Sequence, residues 1–367
     1  MKLAKNREAG QILVWALIRL ALGPLLIVPM LQLSSSSQKY NQITEIYTLN
    51  TYVADSGIEY GRYQVYNNAA EIQATPLQKH LVIDGVDVYL TAEYVPAMAT
   101  YDITSAATKA SKSLTIDCMI VIDVGLFGNV VACDGDLTVD HCDFISDVLG
   151  EADIYTHGDI RLIHSYIDGD VKATGIVDND HSTITGETIV GAEVLEFSPM
   201  DAEINEEKAK LGGTSGTISW NNKGTKELGP LYIDGNLTVI KTNVILGGTV
   251  YVTGNVHIDH ASLTGFGDML AEGDLHIDHY SLTVGDIDIL PLFMSVYEDI
   301  SIDRDSDTYA ILYAPQGRIS LDHVDVFGSV AAPDIYLNQA RINYPAEMRG
   351  RADLPGAGLD TVTYLFE

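Results

Sequence analysis

From Gln11 to Leu33 the chain reads QILVWALIRLALGPLLIVPMLQL, an almost wholly apolar run of 23 residues. A helix of that length matches a bilayer core. Beyond it, Tyr40, Ile43, Ile46, Tyr47, Leu49, Tyr52, Val53, Ser56, Gly57 and Tyr60 recur at spacings of three and four. That spacing is the mark of a helix with one apolar face. The pattern predicts one long helix over residues 11–70, apolar first and amphipathic afterwards, with 11–33 as its membrane-spanning part.

Past residue 110 the period changes from 3.6 to two, and a unit repeats. It runs Gly135–His141, Gly158–His164, Gly235–Lys241, Gly254–His260, Gly273–His279 and Gly317–His323, with a degenerate copy at Pro333–Gln339. The consensus is Gly-(Asp/Asn)-apolar-x-apolar-Asp-His. Alternating apolar residues predict a strand with one buried face. The leading Gly is expected to supply a turn with unrestricted φ, and the Asp or Asn beside it to bond nearby backbone. Starts at 235, 254 and 273 are 19 residues apart, and 317 to 333 is 16. Such a period, with three short strands per turn, predicts a mainly β fold: a right-handed single-stranded parallel β-helix over residues 111–345, of about nine or ten coils. Leucine-rich repeats share the period but need a Leu-x-x-Leu-x-Leu pattern that is absent. Residues 71–110, with alternations at Leu81–Ile83 and Val86–Leu90, are expected to link and cap. Residues 198–212 interrupt the pattern as a helical insertion, with Pro199 at its start and Gly212 at its end. Residues 346–367 are read as a tail.

Composition changes the picture in two ways. The chain of 367 residues is 46% hydrophobic and 20% charged, so it can bury a core. Its 51 Asp and Glu against 21 Lys and Arg give a net charge of −30. Nucleic-acid affinity comes largely from cationic side chains on phosphates, so nucleic acid is excluded as a partner; cations are favoured. The three cysteines, Cys118, Cys133 and Cys142, have no CxxC spacing. They read as small buried residues.

Lys2, Lys5 and Arg7 precede the apolar run, which predicts a cytoplasmic N-terminus and an exported body. Inside the run, Arg19, Pro24 and Pro29 are costly in lipid alone and suggest packing against other helices. A short basic leader ending in Gly10, then an apolar helix, then an amphipathic continuation resembles the type IV pilins. The segment Ala54-Asp55-Ser56-Gly57-Ile58-Glu59-Tyr60 resembles PilX-type minor pilins, as do the stretches from Leu312 to Pro333 and on to Gly356. The resemblance implies that a prepilin peptidase cuts between Gly10 and Gln11. It also implies that the helix joins other pilin-like subunits in a filament core. Trp15 stands where major pilins carry Glu, which favours an accessory subunit. The expected location is the cell surface, in a filament or on a single-pass anchor.

The candidate chemistry lies in the repeated pairs Asp140-His141, Asp180-His181, Asp259-His260, Asp278-His279 and Asp322-His323. In a β-helix equivalent positions stack about 4.8 Å apart. Asp259, His260, Asp278, His279, Asp322 and His323 could then offer nitrogen and oxygen ligands to a divalent cation. The other reading is a corner ladder, in which Asp accepts backbone bonds and His bonds the next Asp. No organic cofactor is implied. Many β-helices cleave polysaccharides with paired carboxylates, and Asp178, Asp180, Asp303 and Asp305 are the candidates for that work. No GxSxG, P-loop or HExxH occurs. The sequence therefore predicts a non-enzymatic surface subunit that displays a β-helix for adhesion or assembly. The alternative is a membrane-anchored β-helix that binds or cleaves surface glycans.

Overall fold

A computed structural model describes residues 4–95, 100–197, 202–279, 281–283, 290–346, 348, 351, 354–355 and 357–366. Helix α1 spans Ala4–Ala74, with Asn68 (φ −136°, ψ 33°) as its one non-helical residue. The helix thus runs through Pro24 and Pro29 without a break. Its later half buries Val53, Ala54, Ile58, Val65, Ala69 and Ile72. The partner is a five-stranded antiparallel sheet of β1 (Leu77–Ile83), β2 (Val86–Val95), β3 (Thr100–Lys109), β4 (Lys112–Asp123) and the C-terminal strand Gly358–Phe366. In β2 Val86, Val88, Leu90 and Ala92 are buried and the residues between them exposed, as one-sided packing requires. Gly57 and Gly61 set the approach. A Cβ on Gly57 would stand 2.1 Å from Ser105 Oγ, and one on Gly61 would stand 2.6 Å from Ile103 Cγ2. The Asn50 side-chain amide donates to Lys112 O (2.9 Å), and the Tyr101 hydroxyl to Ala69 O (3.1 Å). These contacts correct two expectations. Residues 77–109 belong to a helix-backed sheet with its own core, and the segment 358–366 is a strand of that sheet, not a tail.

The rest is a parallel β-solenoid of about ten turns. It begins at Val131, later than the expected residue 111. Its coils are not in chain order. In space they run 214–228, 231–247, 250–266, 269–283, 292–309, 311–327 and 330–344, then 131–146, 154–167, 171–184 and 188–190. The chain enters in the middle, builds to one end, passes to the other end, and returns to stack its last coil on its first. At that joint Val330 pairs with Val131, Leu337 with Val139, and Ile342 with Phe144, all parallel. Ser329 Oγ donates to Asn129 O (2.6 Å) and Tyr344 Oη to Phe127 O (2.8 Å). Residues 191–197 lie against the coil flank, where Tyr155 Oη donates to Glu193 O (3.1 Å) and accepts from Leu195 N (2.9 Å). Helix α2, Ala202–Lys210, follows within the segment expected to be helical.

The repeat's polar positions have a specific mechanical meaning. Each Asp or Asn after the leading Gly accepts a hydrogen bond from the next coil. Asn236 Oδ1 takes Asn255 N (2.8 Å), Asn255 Oδ1 takes Asp274 N (3.2 Å), and Asp136 Oδ1 takes Asp159 N (2.9 Å). The Gly is required for the room this ladder needs. Of the repeat glycines only Gly235 has a left-handed φ. A Cβ on Gly254 would stand 2.1 Å from Asn236 Oδ1, and one on Gly273 would stand 2.0 Å from Asn255 Oδ1. The expected role in φ therefore gives way to close approach.

This geometry predicts the outcome of Gly273→Ala. At an ordinary φ, Gly→Ala stabilises by about 0.4–1 kcal/mol. Here the clash reverses the sign, and a loss of about 1–3 kcal/mol is expected. Denaturant unfolding measures it. The loss should shrink when Asn255→Ala removes the oxygen; an equal loss in both backgrounds would refute the mechanism.

Candidate functional site

The residue closing the second strand of each coil sits at a left-handed corner. Ten coils supply Asn222, Lys241, His260, His279, Arg304, His323, Gln339, His141, His164 and His181, with φ between 47° and 61°. Among non-glycine residues, Asn, Asp and His are the most enriched there. The histidines of the Asp-His pairs are thus first of all corner residues. Four of the five bond their own preceding Asp; in Asp278-His279 the two groups approach without a hydrogen bond. Nδ1 to Oδ1 is 2.6 Å in Asp140-His141 and Asp180-His181, 2.5 Å in Asp259-His260, and 3.0 Å in Asp322-His323. The expected bond from His to the next Asp is replaced by this local one.

Stacked coils put the aspartates in register: Asp259 with Asp278, Asp278 with Asp303, Asp303 with Asp322, Asp322 with Asn338, and Asn338 with Asp140. Four consecutive carboxylates at strand spacing repel by about 3 kcal/mol per neighbouring pair at an effective dielectric of 20. Cations must answer this. Arg304 supplies one, with a guanidinium nitrogen 3.7 Å from Asp278 Oδ2. Burial pushes the Asp303 carboxyl above the usual carboxylate range. His276 and Arg304 pull it down, while Asp278 and Asp322 push it further up. Hydrogen bonding from His181 holds exposed Asp180 below that range.

The sequence-predicted ligands do not all converge. One ligand atom each from Asp259, His260 and His279 lies within 4.8 Å of the others. Asp259 Oδ1 is 3.9 Å and Asp278 Oδ1 2.8 Å from His279 Nδ1. The His260 and His279 rings stack at 4.3 Å, against 5.0 Å for His141–His164 and 5.5 Å for His164–His181. Asp322 and His323 stand apart, because the coil between carries Arg304 at the corner. His257 and His276, outside the sequence-predicted ligand set, stack at 5.2 Å on the same strands. The duplicated string His-Ile-Asp-His at 257–260 and 276–279 was the available signal.

The candidate catalytic carboxylates are not gathered. Asp178 and Asp180 lie on the strand Val177–Asp180, and Asp303 on Ile300–Tyr309. Five coil steps, about 24 Å, separate the first two from Asp303, so the candidates do not meet in one groove. Asp178 and Asp180 themselves, two residues apart on one strand, stand about 7 Å from each other, within the roughly 5–9.5 Å of glycosidase pairs. The Asp305 side chain lies outside the described residues. A cleft of about 290 Å³ between Gly125–Asn129 and Ala192–Leu195 has Glu193 as its one lining carboxylate. All three cysteines are buried and none forms a disulfide, and burial raises Cys142 to about 11, so it is no thiolate at neutral pH.

Of the helix residues, Trp15 and Pro29 are exposed. The surroundings of Gly10 and the side chains of Gln11, Arg19 and Pro24 lie outside what is described. Among the described residues no helix is long and apolar enough to cross a membrane; part of 11–33 falls outside that set.

No family model and no curated protein sequence matches the chain. Among solved structures, the competence-associated pilin ComZ from Thermus thermophilus is similar to it at 10% identity and a TM-score of 0.27, covering 88% of this chain and 97% of that one. Similarity at that level decides neither fold nor function, and it lends the PilX-type resemblance no support.

The ladder yields a pH prediction. The folded state keeps Asp303 protonated to a higher pH than the unfolded chain does. Its charge therefore lowers stability above the raised pKa, and the penalty vanishes below the unfolded value. In chelator-treated protein, Asp303→Asn should raise the unfolding midpoint at neutral pH, with the gain fading toward about pH 3. A pH-independent gain would point to packing instead.

Proposed function

We propose that this protein is a non-enzymatic, pilus-related surface subunit. One observation carries the reading. One face of the later half of α1 is buried on its own sheet, while the described side chains of the earlier half from Trp15 to Leu33 are exposed and, Gln32 apart, apolar. Met30 is 71%, Leu31 64% and Leu33 75% exposed. Exposed apolar surface on that scale calls for a partner. A helix that is half mount and half free apolar rod suits insertion among like helices, with a lipid bilayer holding the rod before assembly.

The resemblance at Gly10-Gln11 adds a processing step by a prepilin peptidase. Trp15 favours a minor, accessory position over a bulk one. The solenoid then forms the exposed face that meets adhesion targets or other subunits, and its charge keeps it solvated. On this reading the carboxylates serve structure, and no step of glycan cleavage is assigned to them.

N-terminal sequencing of protein from its native source tests the proposal. A mature chain beginning at Gln11 is the expected result. A chain beginning at Met1, or one cut after about residue 37 as secretory processing would leave it, would overturn the pilin assignment.

A further inference from the structure

The geometry points to a zinc site on the solenoid surface, formed by His260 and His279 with Asp259 and Asp278. Only here do two complete Asp-His pairs occupy adjacent coils. At His141 and His164 the second coil has Ile163 before its histidine, and between His279 and His323 the corner is Arg304.

The distances fit a small ion. Zinc bonds of about 2.0–2.1 Å in a tetrahedron place ligand atoms about 3.4 Å apart. The three contacts His260 Nδ1–Asp259 Oδ1, His279 Nδ1–Asp278 Oδ1 and His279 Nδ1–Asp259 Oδ1 are 2.5, 2.8 and 3.9 Å. The first two would lengthen and the third shorten around an ion. The ligand atoms of Asp259, His260 and His279 already lie within 4.8 Å of one another, and Asp278 adjoins them at His279. The Asp278–His279 contact lies outside hydrogen-bond geometry. Asp278 Oδ1 is consequently a solvent-inaccessible oxygen with no hydrogen bond. Leaving such an atom unmatched costs free energy, and a cation between the two coils would satisfy it. The His260–His279 rings, closer than any other stacked histidines described, turn their Nδ1 edges toward the two carboxylates.

Donor type selects the ion. Two imidazole nitrogens and two carboxylate oxygens suit zinc, whereas calcium needs six to eight oxygens. Binding requires each Nδ1 to present a lone pair. The neutral imidazole achieves this by carrying its proton on Nε2, so no oxidant or further reactant is needed. The ion would staple the coil 250–266 to the coil 269–283 and offset the repulsion between Asp259 and Asp278.

The test uses the full-length protein in detergent, stripped with chelator, and the metals alone as probes. Cobalt(II), a spectroscopic stand-in, should bind at one ion per chain with a tetrahedral visible spectrum, and Zn2+ should displace it. Zn2+ should also raise the unfolding midpoint. His279→Asn keeps a residue that tolerates the left-handed corner, and it should weaken binding about tenfold or more. Asp259→Asn should do the same, which guards against misfolding of the first variant. His323→Asn, at the isolated pair, should leave binding unchanged. Absence of saturable binding, an octahedral spectrum only, or equal affinity in wild type, His279→Asn and Asp259→Asn would each overturn the site.

Discussion

No single coil of this solenoid can bury its own inward face; each depends on the coil beside it. The dependence is sharpest at the joint between 330–344 and 131–146, because no short chain connection holds those two coils together. Their hold is the parallel ladder, the inward pairs Leu337–Val139 and Ile342–Phe144, and hydrogen bonds such as Ser329 to Asn129. Separating the two runs there would expose both inner faces. Apolar side chains of that size are each worth about 1.5–3 kcal/mol when buried. The continuity of the core therefore rests on this one contact between distant segments.

The same joint organises the rest of the molecule. β4 ends at Asp123, just before the first coil, and the C-terminal strand starts at Gly358, just after the last. When the coils meet, both segments are brought to one place, where the C-terminal strand completes the sheet that backs α1. Sequence separations of about 200 residues, as in Ser329–Asn129, must be closed before either unit is whole. Contacts that distant are slow to form because loop closure comes before the stabilising contacts. The helix mount and the display surface are thus coupled through folding.

Much of this was legible in the sequence, and what was not has a common cause. The repeat Gly-(Asp/Asn)-apolar-x-apolar-Asp-His reports the cross-section of a coil, so the solenoid and its inward residues follow from it. It does not report which coil is the neighbour, because 330–344 and 131–146 carry no mark of their pairing. The alternation at Val86, Val88 and Leu90 was equally plain. Its partner, the face of α1 around Gly57 and Gly61, is fixed by tertiary packing that periodicity does not encode. The glycines were misassigned for a similar reason. Gly273 looks like a turn residue, yet the atom that demands it is Asn255 Oδ1 in the adjacent coil. At the site, the repeated Asp-His pairs drew attention to six ligands. Asp259, His260 and His279 converge, while Arg304, at the corner of the coil between, sets Asp322 and His323 apart from them.

The corner position finally explains how charge and fold constrain each other. Every coil needs a left-handed residue there, and the residues used, Asn, His, Lys, Arg and Gln, are all polar. The residue before it stacks on its counterpart in the neighbouring coil. Ile163 sits between Asp140 and Asp180 and keeps those two carboxylates from stacking directly. Where that position is Asp in four successive coils, repulsion accumulates along the axis, and a chain of net charge −30 has few distant cations to relieve it. Relief must be local. Arg304 gives it within the ladder, directed at Asp278, and the corner histidines give it through their bonds to Asp259 and Asp322. The residue that turns the chain is thus also the residue that can neutralise its neighbour, so an acidic ladder and a histidine corner arise together from one geometric requirement.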